Sequence, residues 1–129
     1  MTRLLTHWLP VAAWMGLIFF VSNQPDLQPP GPPGMADLIA DSAHFLEYLV
    51  LGLLLARATG TSERPTPLVQ KAAIWFAASL YGVTDELHQG FVPGRTVSGL
   101  DVAVDALGAC IGIAIAVWWE RKERAPLNG

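Results

Sequence analysis

Residues 38–58 read LIADSAHFLEYLVLGLLLARA. At about 1.5 Å of rise per residue such a run extends about 30 Å, the hydrocarbon thickness of a bilayer. It is not uniformly apolar: His44, Glu47 and Tyr48 fall with Leu51 at i, i+3, i+4 and i+7, so the three polar groups share one helical face. An ionised side chain at a membrane helix centre costs about 2.5–3.5 kcal/mol on insertion scales, and such groups turn toward a bundle interior or a watery cavity. One helix with a polar stripe therefore calls for other helices to receive it.

Residues 4–21, 68–87 and 100–119 supply three more apolar stretches, each just long enough to cross. Pro10 sits near the start of the first, where a missing N–H costs least. Turn-rich segments separate the stretches. PDLQPPGPPG at 25–34 predicts an extended loop, partly polyproline II, and TGTSERPTP at 59–67 a hydrophilic turn. QGFVPGRTVSG at 89–99 carries Pro93-Gly94, suited to a type II turn, and Ser98 with Asp101 forms a helix-starting capping pattern. The expected fold is all-α: one domain over residues 1–129, a polytopic membrane protein with four transmembrane helices in one bundle.

Composition agrees. Only 15% of the 129 residues are charged and 52% are hydrophobic, against about 25% charged in ordinary soluble domains. With a mean hydropathy of +0.38 and a net charge of -3, this disfavours a soluble enzyme, a disordered tail, a coiled coil and a basic nucleic-acid binder. Cys110 has no partner for a disulfide and is expected as a small core residue of the fourth helix. Arg3 before an apolar core also fits a signal peptide, but residues 21–24 offer no small-x-small cleavage site, so an uncleaved helix is expected.

Arg3, Arg57, Arg64, Lys71, Arg121, Lys122 and Arg124 fall on the N-terminus, the middle loop and the C-terminus, and only Arg95 on the opposite side. Positive flanks stay inside, so both termini are expected in the cytoplasm of a multi-pass cell-membrane protein, with Trp118 and Trp119 in an inner aromatic belt. Asp26, Asp37, Asp41, Glu47, Asp85, Glu86, Asp101 and Asp105 then gather toward the outer end.

Tyr81, Asp85 and His88 form one stripe of the third stretch, with Glu86 and Gln89 beside it. Asp101, Asp105, Gly108 and Gly112 form one stripe of the fourth, and its GxxxG pair admits a close neighbour. His44, Glu47, Asp85, Glu86 and His88 are the catalytic candidates, because imidazoles titrate near neutrality and carboxylates can orient them. Tyr48, Tyr81, Gln89, Arg95, Asp101 and Asp105 are the substrate-binding candidates; the Arg95 fork suits a carboxylate or a phosphate.

Structural readings compete with these. His44 and Glu47 can glue the second helix to the third, Arg95 can neutralise Asp85, Glu86 or Asp101, and Tyr48 and Tyr81 can be packing residues with satisfied hydroxyls. Asp85 and Glu86 project about 100° apart, which leaves one of them free to face interfacial water. His44-x-x-Glu47 and Asp85-x-x-His88 follow the Glu-x-x-His pattern of dimetal bundles only loosely, reversed in one and shortened in the other. The ligand types suit zinc or iron, with Asp101 and Asp105 needed to complete a set, but no metal site is assigned and the cofactor is left unknown. No nucleophile elbow or Ser-His-Asp order is visible.

HFLEY at 44–48, YGVTDELHQGFVPGR at 81–95 and the Asp101, Asp105, Gly108 pattern together resemble the VanZ-like family of membrane proteins. Position 105 is usually Asn in that pattern and is Asp here. The resemblance implies a small polytopic membrane protein, linked in some members to glycopeptide (teicoplanin) resistance, and carries no defined activity. Two readings follow. One is an enzyme at the outer face acting on a lipid-linked or cell-envelope substrate, with His88 or His44 as acid or base. The other is a non-enzymatic binding or accessory protein whose polar network is structural. Membrane lipids are the expected partners, and nucleic acid is not.

Overall fold

The computed structural model describes residues 2, 4–25, 32, 34–60 and 67–124. Helix α1 (Leu9–Ser22) follows a π-helical turn at Leu4–Trp8, and α2 (Met35–Ala58), α3 (Leu68–Gln89) and α4 (Gly99–Arg124) complete the chain. The fold is all-helical, with no strand among the described residues. Most of the 25–34 segment and of the 59–67 turn, with Asp26, Arg3 and Arg64, lies outside them.

Local chemistry explains the helix boundaries. Pro10 occupies the first turn of α1; its ring would crowd the carbonyl four residues back, and the wider π turn just before it relieves that clash. Helix α2 begins at Met35, earlier than the apolar run suggests, directly after Gly34 at φ 90, a backbone conformation that glycine adopts freely. Helix α4 runs past residue 119 to Arg124, and in this extension Lys122 Nζ lies 5.4 Å from the Trp118 ring centre, a cation–π pair at i, i+4. The Arg95 N–H donates to the Val92 carbonyl at 3.1 Å around Gly94 at φ 82, as the type II turn requires.

The Asp101 N–H donates to Ser98 Oγ at 3.3 Å, the expected cap of α4. The second leg of that motif is changed: the Ser98 N–H goes to Glu86 Oε1 on α3 rather than to Asp101. Ser98→Ala removes one leg and leaves the other, so it is expected to destabilise the protein by about 1 kcal/mol in equilibrium unfolding in micelles.

Helices α2 and α4 approach backbone to backbone. A Cβ on Gly108 would lie 3.1 Å from the Leu49 nitrogen and collide with the Phe45 carbonyl oxygen, and one on Gly112 would lie 3.0 Å from the Leu53 nitrogen and collide with the Leu49 carbonyl oxygen. Gly52 does the same from α2, where a Cβ would sit 3.0 Å from the Ala109 Cα. Val11, Ile18, Tyr48, Leu51, Ala78 and Ala109 form the main core, and Ala56, Ile74 and Ile113 a second cluster. Indole donors pin the helices across this core: Trp14 Nε1 donates to the Glu47 carbonyl and Trp75 Nε1 to the Ala106 carbonyl, each at 2.8 Å.

Cys110 is exposed, contrary to the core position expected for it. The buried face of α4 carries Asp105, Gly108, Ala109, Gly112 and Ile113, and Cys110 sits about 100° around the helix from Ala109.

Leu5–Ser22, Met35–Ala58 and Gly99–Trp119 are long and apolar enough to cross a membrane. The expectation of four such stretches is met by three. Helix α3 has the length, but Lys71 near its start and Thr84, Asp85, Glu86, His88 and Gln89 in its last turns lower its hydropathy. Large apolar side chains such as Phe20, Leu38, Phe76 and Leu107 are exposed, a surface suited to lipid contact.

Candidate functional site

Two adjacent stripes of α3 face different neighbours. Tyr81, Asp85 and His88 all turn to α1: Tyr81 OH donates to the Met15 carbonyl at 2.7 Å, Ser22 Oγ donates to Asp85 Oδ2 at 2.6 Å, and His88 Nε2 lies 3.1 Å from Asn23 Oδ1. The His88 ring also packs on Phe19, centre to centre 4.6 Å. Gly82, Glu86 and Gln89 form the second stripe. A Cβ on Gly82 would lie 3.1 Å from Asp105 Oδ2 and 3.3 Å from Tyr48 Cε1, so the missing side chain gives α2 and α4 room for those two groups. Gln89 Nε2 donates to Asp85 Oδ2 at 3.3 Å and joins the stripes.

Between α2 and α4, His44 Nδ1 lies 3.2 Å from Asp105 Oδ1, with both residues buried. These contacts gather the end of α1, the start of α2, the end of α3 and the start of α4 at one end of the bundle. There a cavity of about 350 Å³ opens, bounded by Asp37, Asp41 and His44 of α2, Gln89 of α3, Arg95 and Thr96 of the turn, and Asp101 of α4.

Of the catalytic and substrate-binding candidates, His44, Gln89, Arg95 and Asp101 line the cavity. Asp105 supports His44, Glu86 holds the start of α4, and Asp85 ties Gln89 to α1. His88, Tyr81 and Tyr48 are not on its walls. Glu47 is half-buried and attracts Arg95 through space.

Several structural readings change. His44 bonds to Asp105 of α4 rather than gluing α2 to α3 with Glu47. Asp85 and Glu86 are both buried, so neither faces water. Tyr81 has a satisfied hydroxyl, whereas that of Tyr48 is buried without a partner among the described residues. Arg95 makes no ion pair with Asp85, Glu86 or Asp101 among the described residues, and its Nε is buried without a hydrogen-bond partner there. Asp85 Oδ1, Glu86 Oε2 and Asp105 Oδ2 are likewise unpartnered among the described residues. Buried polar atoms are rarely left so, and this end of the bundle retains unused hydrogen-bonding capacity. No group of three His, Cys, Asp or Glu side chains converges as a metal-ligand set among the described residues.

Ser22, Gly82, Asp37 and Asp41 were not among the sequence candidates. For the two acids a signal existed: Asp37, Asp41 and His44 stand at i, i+4 and i+7, one continuous helical face.

A helical bundle with three membrane-length apolar helices and a polar cluster at one end has the build of an integral membrane protein. The chain matches the VanZ/LLP1 family over residues 7–120 and belongs to it. No curated protein and no solved structure matches the chain.

Proposed function

We propose that this is a multi-pass cell-membrane protein whose cavity opens on the outer face and takes the polar group of a lipid-linked or cell-envelope substrate. The observation that carries the reading is the cavity of about 350 Å³ with His44, Arg95 and Asp101 on its walls. Helix α3 crosses as the fourth span, because its acids turn to protein neighbours at one end and its middle, between Lys71 and Thr84, is apolar apart from the hydroxyls of Ser79 and Tyr81. The excess of Lys and Arg at the opposite end keeps both termini in the cytoplasm.

In this reading Asp105 accepts from His44 Nδ1–H and fixes the tautomer, so that Nε2 is left to accept a proton from a group bound in the cavity. Arg95 takes the anionic part of the substrate through its planar fork. His88 holds α1 and plays no part in the chemistry. Lowered teicoplanin susceptibility of cells expressing the wild-type chain is the expected phenotype.

His44→Gln and Arg95→Lys, made separately, are expected to abolish that protection while membrane abundance stays at the wild-type level. Full protection by both variants would refute a substrate site. If both instead remove the folded protein, the second reading holds, that of an accessory protein with a structural network. The bonds Ser22–Asp85 and His44–Asp105, each joining two helices, favour that second reading.

A further inference from the structure

At the end of the bundle opposite the polar cavity, α3 and α4 enclose a groove of about 480 Å³. Lys71 and Arg121 flank it, Trp118 stands beside Arg121, and Trp75, Cys110 and Ala114 line its deeper part. From Arg121 back to Cys110 the groove follows α4 for about 16 Å at the helical rise, so it leads from two cations into the level of the bilayer interior. Trp75 is held at its floor by the bond from its indole nitrogen to the Ala106 carbonyl, which fixes one wall.

We infer that this groove binds an anionic diacyl phospholipid, with an acyl chain along α4 and the phosphate between Lys71 and Arg121. The inference goes beyond the cavity function and rests on that reading only in taking α3 as a crossing helix. Charge complementarity selects the occupant. Basic pockets between transmembrane helices bind anionic headgroups, and an apolar trough below two cations matches both parts of such a lipid. A second copy of the chain fits less well. A twofold pairing through this groove would bring Lys71 and Arg121 against their own counterparts.

The test is native mass spectrometry of the full chain in detergent, titrated separately with dioleoyl-phosphatidylglycerol and dioleoyl-phosphatidylcholine. Wild type is expected to prefer the anionic lipid about thirty-fold, the equivalent of about 1 kcal/mol from each of two basic residues. The double variant Lys71→Gln/Arg121→Gln is expected to bind the two lipids alike, and Ala114→Trp to lose both adducts while circular dichroism reports unchanged helicity. If Ala114→Trp does not fold, the charge variant alone decides. Equal binding of both lipids by wild type, a preference that survives the double charge variant, or a lipid-free dimer mass would overturn the headgroup assignment. Absence of both adducts from wild type would overturn the groove as a lipid site and leave the reading of α3 as a crossing helix untouched.

Discussion

Gly112→Leu is expected to abolish folded protein in the membrane, and Gly108→Leu to do nearly the same. At both positions a side chain would run into backbone of α2 rather than into a flexible side chain: the Leu49 carbonyl for Gly112 and the Phe45 carbonyl for Gly108. Overpacking a core that can shift costs about 1–3 kcal/mol, occasionally more. Here the obstacle is a helix backbone, so relief requires α2 and α4 to separate, and the cost lies at or above the top of that range. Separation would also open the contact of Gly52 with Ala109 and the His44–Asp105 bond. Gly16→Ala is the control, because a Cβ there meets nothing within 4 Å, and it is expected to accumulate like wild type. Size-exclusion profiles and thermal melts of detergent extracts measure both. A Gly112→Leu protein with the wild-type profile would contradict the close packing of α2 on α4.

His44→Ala is the second substitution with a large expected effect. Asp105 is 1% exposed, and its one hydrogen-bond partner among the described residues is His44. Interhelical hydrogen bonds in membrane proteins average about 0.6 kcal/mol, which on its own predicts a mild loss. Removing the donor to a buried carboxylate is a different event. It leaves an uncompensated carboxylate, and the usual cost is about 3–5 kcal/mol. The two cases are separated by a double-mutant cycle. His44→Ala is expected to destabilise strongly in denaturant unfolding, Asp105→Asn mildly because the amide oxygen still accepts from His44, and His44→Ala/Asp105→Leu to recover most of the loss. If His44→Ala costs less than about 1 kcal/mol, the pair is an ordinary hydrogen bond.

Much of this architecture is legible in the sequence because the signals are local. Hydrophobic runs set the helices, Ser98 with Asp101 marks the start of α4, Pro93-Gly94 specifies the turn, and Gly108 with Gly112 announces a close neighbour. Helical periodicity also sorts polar groups into faces correctly. It does not say which helix a face meets. Tyr81, Asp85 and His88 are legible as one stripe, but only packing shows that the stripe belongs to α1, with Ser22 reaching Asp85 across a separation of 63 residues. The same gap explains why the face of His44 and Glu47 reads as a contact with the third helix, whereas His44 meets Asp105 of the fourth. The hydropathy of α3 falls below that of the other three helices. Its acids lower it, and only packing shows that one oxygen of each meets a protein donor, Asp85 from Ser22 and Glu86 from the Ser98 N–H.

The contact from Glu86 to the Ser98 N–H fastens the last turn of one helix to the residue that caps the next. With the tight turn at Pro93-Gly94 between them, it fixes how Arg95 and Asp101 stand to each other on one wall of the cavity. A ligand entering there meets a wall already set in place, with Asp37 and Asp41 of α2 facing it across the opening.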